Sequence, residues 1–400
     1  MDFELNDVQK AVQRLAQEFA RKEIVPRVDG WERGLEPFDW DLIPKMGALG
    51  FFGSTFPPKY GGTEMGFLSL ALICEEITKA YFPLGFFFNM CGMTVPFTIL
   101  NWGNEEQRGK YVPRLISGEW IGSFGLTEPG GGSDVLGGMK TRAVRDGDTY
   151  ILNGSKMFNT LAHRAQVDIV FAKTDPDQGH RGVSAFLVDT DTPGFLRREI
   201  GMQTLGRFSW TAETAFEDCR APRESLLGKE GEGFKIAMNA LDYGRLTVAC
   251  RAVALAQACL EASLIYAKER EAFGQEIGNF QLIKGLIADM VAEVDLARLG
   301  VYRSAYLKDK GQAATRETAI AKYFAGEVCG RASRAAAEIF GGYAYTDEFR
   351  LGMYLSNSQF MRTGEGSANI LRLLIADDAL GWKRADRHDI RRPFALESDL

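Results

Sequence analysis

EWIGSFGLTEPGGGSD, Glu119 to Asp134, is the stretch where the chain changes character. Its first half alternates and is rich in Ile, Phe and Gly, as short strands are. Its second half carries three consecutive glycines, Gly130 to Gly132, flanked by the hydroxyls of Thr127 and Ser133. Glycines without side chains let a backbone approach a planar or phosphate-bearing ligand closely, and hydroxyls add donors. On residue types alone a plain surface turn fits equally well. No GxGxxG occurs in the chain, so the usual βαβ route to a dinucleotide is excluded.

Upstream of this run, Val8, Val12, Leu15 and Phe19 recur at helical spacing and Pro26 follows them. A second helix is expected from Asp41 to Leu49, a loop over Phe56 to Gly62, and a further helix through LALICEEITKA. Downstream, KTRAVRDGDTYILNG, DIVFAK, VSAFLVDT and ETAFED read as short strands. Asp146-Gly147 predicts a hairpin pairing Thr141–Val144 with Thr149–Leu152. From Gly233 the helical period returns, with Leu282, Ile283, Leu286, Ile287, Met290, Val291 and Val294 as one apolar stripe. The expected fold is therefore α+β and multidomain. Residues 1–117 form an N-terminal helical domain, 118–232 a middle β-barrel or sandwich domain, and 233–400 a C-terminal four-helix bundle that packs on another subunit.

Composition narrows the function. The 400 residues carry a formal charge of −6, which offers no basic face for nucleic acid. Phosphate binding must then rest on a few local arginines, hydroxyls and backbone N–H groups. Six cysteines lie scattered without a CxxC pair, and three histidines (His163, His180, His388) make a poor zinc set. Such cysteines suit small buried positions in a reducing compartment, the cytoplasm of a bacterium or another soluble one. The N-terminus MDFELNDVQK is acidic and lacks the apolar core of a signal peptide. Ala80 to Asn104 carries no charge over a membrane-spanning length, but Pro83, Gly85, Asn89, Gly92 and Pro96 interrupt it. A buried helix or pocket wall is expected, without membrane insertion.

FGLTEPGGGSD resembles the flavin-binding signature of acyl-CoA dehydrogenases. PPKYGG and GNEEQRGKYVPRLISGE resemble that family's N-terminal domain. NGSKMFNT, LVDTDTPG and FEDCRAP resemble its β-domain; GEGFKIAMNALDYGRL, AKEREAFGQEIGNFQLI, EIFGGYAY and GEGSANILR resemble its bundle. The resemblance implies FAD as cofactor, with Phe124, Gly125, Leu126, Thr127, Gly132 and Ser133 on the isoalloxazine and pyrophosphate, and Phe158 and Thr160 flanking the ring. Phe158 stands where the family usually has Trp. Arg270 is implied at the FAD pyrophosphate of a neighbouring subunit, with Phe273, Phe280 and Gln281 nearby. Glu338, Gly341 and Gly342 fall at the adenosine end, where Glu338 replaces a usual Gln. Ser367 and Asn369 complete the flavin site. Ser133, Asp242 and Arg245 are implied on the CoA chain, and Phe87, Phe88, Cys91 and Gly366 near the acyl group.

GEGSANILR also places Glu365 on the family's catalytic glutamate, although Gly364 replaces an aromatic and Ser367 a threonine. Some relatives put the base just before the arginine of DYGRL, which here is Gly244. Relatives performing 1,4-elimination use an aspartate in the N-terminal pocket segment, which here has Cys91 and no acid. The implied reaction is ordinary α,β-desaturation of an acyl-CoA, with electrons passed to an electron-transfer flavoprotein by a homotetramer. Alternatives on the same scaffold are the enoyl-CoA reductase direction and a flavin oxidase or monooxygenase. The bulk of Phe86 to Phe88, Met90 and Met93 suggests a compact apolar acyl group, branched, alicyclic or aryl-bearing. Glutaryl-specific relatives carry an arginine in this segment; its absence weighs against a dicarboxylate. Arg362 reads as a surface charge, with pairing to a substrate carboxylate as the alternative.

Overall fold

The protein is described from a computed structural model covering residues 4–202, 207, 208 and 210–388. Helix α1 (Asp7–Phe19) starts with a capping box: Asn6 accepts from the Gln9 N–H at 2.8 Å, and the Gln9 side chain answers the Asn6 N–H. It is followed by α2 (Leu42–Ala48), α3 (Gly66–Ala80), α4 (Gly85–Met90), α5 (Thr94–Trp102) and α6 (Glu105–Ile116). The expected loop at Phe56–Gly62 holds one 3-10 turn, Pro58–Tyr60. Phe82–Trp102, long and apolar enough to cross a membrane, is wholly buried. Its proline and glycines divide it into α4 and α5, so it wraps the core rather than running straight.

The middle of the chain forms one mixed eight-stranded sheet. Strands β1 (Gly122–Gly125), β2 (Arg142–Asp146), β3 (Thr149–Thr160), β4 (Val167–Lys173), β5 (Val183–Asp189), β6 (Phe195–Ile200), β7 (Thr211–Pro222) and β8 (Leu226–Leu227) run in the order β6-β7-β3-β2-β4-β5-β8, with β1 parallel to β4. The predicted hairpin is β2–β3, with Val144 opposite Ile151. Its turn is Gly147-Asp148, one residue beyond the expected pair, and Gly147 takes the positive φ that such turns require. The sheet curls round its own small core of Tyr150, Leu152, Val170, Phe186 and Phe216. Its other face, with Ile169, Phe171 and Leu187, joins the large core shared with the helices.

The bundle comprises α7 (Gly233–Glu269), α8 (Gln281–Asp309), α9 (Thr315–Phe340), α10 (Leu351–Phe360) and α11 (Ala368–Ala379). The fourth helical leg is thus broken in two, and the break at Met361–Ser367 carries Glu365. α7 is buried nearly all round, and its many alanines let the sheet, α3, α5, α8 and α9 approach it closely. The apolar stripe on α8 splits. Met290 and Val294 turn into the core, while Leu282 (86% exposed) and Val291 face outward. All six cysteines are buried and unpaired.

Sheet and bundle meet where α7 begins. A Cβ at Gly233 would lie 2.5–2.8 Å from the backbone of Ser184 in β5, and the Ser184 hydroxyl accepts the Gly231 N–H at 3.0 Å. Helix propensity alone predicts that Gly233→Ala stabilises the protein by up to about 1 kcal/mol. Close packing predicts the opposite sign, a loss of about 2–3 kcal/mol, because backbone cannot move aside. A thermal or urea unfolding comparison decides between them.

Candidate active site

Glu365 sits between two glycines. Gly366 has φ +80°, a backbone state that side chains disfavour, and the Gly366 carbonyl accepts from Lys322 Nζ at 2.8 Å. Arg245 Nε donates to the Glu365 carbonyl at 3.4 Å. The loop is therefore pinned by its backbone from α7 and α9, which frees the carboxyl group to reach inward. There Asn89, from α4, donates to Glu365 Oε1 at 2.9 Å. Asn89 is itself held by the Thr247 hydroxyl, which donates to its Oδ1 at 2.9 Å, and by Thr94 Oγ1 at 3.0 Å. Glu365 Oε2 is enclosed and has no partner. A side chain at Gly244 would collide with this oxygen and lie 2.5 Å from Thr94 Oγ1. The absent side chain at Gly244 is thus the space the Glu365 carboxyl group occupies.

Burial raises the Glu365 pKa above the ordinary carboxylate value, against the opposing fields of Arg251, Arg245 and Lys322 and the Asn89 hydrogen bond. The same desolvation pushes Lys322 down to about 7, helped by Arg245. Asp242 and Arg245, expected on a CoA chain, form a buried ion pair at 2.8 Å, and Thr315 donates to Asp242 at 3.2 Å. Arg245 therefore acts from behind the Glu365 loop.

A second group forms around β1 and β3. The Thr127 carbonyl accepts the Met157 N–H at 2.8 Å, bringing the Phe124–Ser133 run beside Phe158 and Thr160. Beneath them Lys156 and Glu128 form a fully buried ion pair at 2.8 Å, and Glu128 also takes the Lys140 and Thr141 N–H groups. One extra residue on β3 between Lys156 and Asn159 makes a bulge. Within it Phe158 takes φ +60° and stands 60% exposed. Bulges re-aim side chains, and strained backbone gathers at functional sites. Gly131 and Gly138 pack with no room for a Cβ, whereas one at Gly132 would meet nothing within 4 Å, and Ser133 is exposed. A glycine loop with an open face, hydroxyl donors and an outward aromatic ring suits an isoalloxazine with its phosphates.

A third group lines a cleft of about 440 Å³ at the far end of α7, where Arg270, Glu338, Gly341, Gly342 and Tyr343 meet. Arg270 lies over the Tyr343 ring at 5.6 Å. Phe273, 96% exposed, touches Phe280 edge-on, and Gln281 opens α8. Gly244 and Arg270 are separated by 26 residues of nearly continuous helix, about 39 Å. Ser367 caps α11 through the Ile370 N–H, and Asn369 is exposed and accepts from Arg372. In the apolar segment, Phe88 packs on Phe52 and Cys91 on the Trp120 carbonyl, both turned into the core. Phe87 joins Trp40 and Trp210. Phe86 is the ring that faces the bundle. Arg362 pairs with Glu327 at the surface.

Sequence reasoning missed Asn89, Thr247, Arg251 and Lys322. The available signal was polarity out of place: one amide in an uncharged apolar run, and cations inside alanine-rich helices.

Three family models match in chain order: acyl-CoA dehydrogenase N-terminal domain over residues 6–119, middle domain over 123–219 and C-terminal domain over 231–380. The glutaryl-CoA dehydrogenase of Desulfococcus multivorans is 39% identical over 393 residues, covering 97% of this chain and all of that protein. A chain of the solved electron transferring flavoprotein of Acidaminococcus fermentans superposes with a TM-score of 0.92 at 41% identity, covering 95% of this chain and 100% of that one. The FAD complex of PigA superposes with a TM-score of 0.89 at 31% identity, covering 96% and 100%.

Gly244→Ala tests the space reserved for the base. The helix gains up to about 1 kcal/mol of propensity, while the new methyl displaces the Glu365 carboxyl group. Helicity by circular dichroism should hold, and the second-order rate of flavin reduction by an acyl thioester should fall on the order of tenfold or more, as a misplacement of about 1 Å costs. An unchanged rate would mean that Oε2 does not work where it stands.

Proposed function

From this chain's membership of the acyl-CoA dehydrogenase family, and so from its being an FAD-dependent oxidoreductase, we propose that it desaturates a compact acyl-CoA between Cα and Cβ with Glu365 as base. The observation that carries this reading is the enclosed, unpartnered Glu365 Oε2 facing a glycine. A proton α to a thioester is weakly acidic. A carboxylate removes it only when poorly solvated and held within about 3–3.5 Å of the carbon. Burial supplies the first condition. Asn89 supplies the second by fixing Oε1, so that Oε2 alone points at the substrate.

The thioester lies between Glu365 and the Phe124–Ser133 loop with Phe158. FAD held by that loop and Phe158 would supply the acceptor for the hydride lost from Cβ. In this reading the Glu365 N–H polarises the thioester oxygen, and Phe86 provides the apolar wall beside the reacting carbons. The reducing equivalents leave to an electron-transfer flavoprotein. The Arg270–Gly342 cleft lies too far along α7 to share one dinucleotide with Glu365, so it completes the flavin site of a second copy of the chain. Leu282, Val291 and Phe273, exposed on α8 and on the segment that leads into it, support such packing. A guanidinium there suits pyrophosphate oxygens.

Glu365→Gln should keep the yellow colour and thioester binding while flavin reduction falls a thousandfold or more, on the order of a lost general base. Retained anaerobic bleaching by acyl-CoA would put the base elsewhere. The sign of the pH dependence is also fixed. The base works ionised, and its folded pKa is raised. Reduction must therefore fade as pH drops through a value above the ordinary glutamate range. A stopped-flow rate that stayed flat well into the acid range would contradict this.

A further inference from the structure

Arg251 lies seven residues beyond Gly244 on α7, two turns on and on nearly the same helix face, about 10 Å deeper. Helical side chains lean towards the N-terminus, so its arm reaches back towards Glu365. It is 3% exposed, and among the described residues it makes no hydrogen bond: Nε and Nη1 are both enclosed and unpaired. The guanidinium carbon sits 4.7 Å from the centroid of the Phe86 ring. A side chain at Gly85 would strike the Arg251 arm, at 2.6 Å from Cδ, so the backbone is trimmed to let the arm pass.

An arginine cannot shed its proton, and a buried cation without a partner is among the most costly things a core can hold. Among the described residues the other buried arginine, Arg245, is matched with Asp242 at 2.8 Å, and even the half-buried Arg298 pairs with Glu75 at 2.9 Å. Arg251 has no carboxylate within ion-pair distance among the described residues, although of the charges acting on Glu365 its own is the strongest. That last compensation vanishes when Glu365 takes up a proton. Stacking on Phe86 leaves the N–H edge of the guanidinium free, which is the edge that grips a carboxylate in a planar fork.

We propose that Arg251 is a specificity-determining residue that binds a carboxylate at the distal end of the acyl group, making the substrate a short ω-carboxyacyl thioester. The inference rests on the desaturation proposed above and adds the chemistry of the acyl end. Because the arm leans back towards Glu365, a carboxylate that meets it would sit at the end of a short acyl chain. The bundle thus delivers to the Phe86 wall a cation that the segment itself lacks.

Anaerobic stopped-flow bleaching of the full-length, FAD-loaded protein tests this with two five-carbon thioesters, glutaryl-CoA and pentanoyl-CoA. The wild type should favour glutaryl-CoA in kcat/KM by on the order of 100-fold. In Arg251→Gln that ratio should collapse by about 10- to 100-fold, the scale of a lost charged hydrogen bond, and Arg251→Lys should recover part of it. A ratio is insensitive to a general loss of active protein. Calorimetric Kd values should move in the same sense, weakening for glutaryl-CoA more than for pentanoyl-CoA. Faster reduction of the wild type by pentanoyl-CoA, or an unchanged ratio in Arg251→Gln, overturns the role of Arg251 while leaving the desaturation intact. The wild-type ratio decides even if the glutamine variant does not fold. If no acyl thioester bleaches the flavin, the desaturation itself fails.

Discussion

A carboxylate in a dry slot must either give up its charge or be held by donors that do not use up its basicity. Glu365 is held by one. Asn89 satisfies Oε1, and the cations around it (Arg251, Arg245 and Lys322) act through space or through the loop's backbone rather than by closing on Oε2. Much of the rest of the molecule follows from keeping that balance. The fourth bundle leg breaks to present Glu365, α7 gives up a side chain at Gly244 to receive its carboxyl group, and the uncharged N-terminal segment supplies one amide at the point of contact.

The arrangement joins all three parts of the chain at α7. The sheet abuts its first residue, and the N-terminal helices and the bundle enclose its length. Bringing a helix this close on every side requires small residues, which is why α7 is alanine-rich and not strongly amphipathic. The buried Lys156–Glu128 pair plays the matching part under the sheet. It anchors the glycine-rich loop by one ion pair and by two backbone N–H groups, so the loop keeps its shape while its outer face stays open. Removing either partner alone would strand a charge, so the pair fixes geometry more than it adds stability.

Much of this was legible in the sequence, and the reason is local. The strand character of β2 and β3, the hairpin turn between them and the return of the helical period at Gly233 are all encoded within a few residues. Glu365 was legible through the motif around it. Its environment was not, because Asn89 stands 276 residues away and nothing in the apolar run singles out that amide as a donor to an acid. Arg251 was hidden for a related reason. An arginine in a helix usually snorkels to water, and only the packing of α7 against Gly85 and Phe86 shows that this one cannot. The α8 stripe misled in the opposite direction. Periodicity reported that Leu282 and Val291 are apolar, but not whether their cover comes from this chain.

The span of α7 between Gly244 and Arg270 also turns helix length into a ruler. Its near end shapes the recess for the Glu365 carboxyl group and its far end holds the cleft guanidinium, with no loop between them to absorb error. Adding or deleting one residue in between would swing one end by about 100° against the other and shift it by about 1.5 Å. Side chains along this span can change within the limits of packing. Its residue count cannot, so the helix should accept substitution far more readily than insertion or deletion.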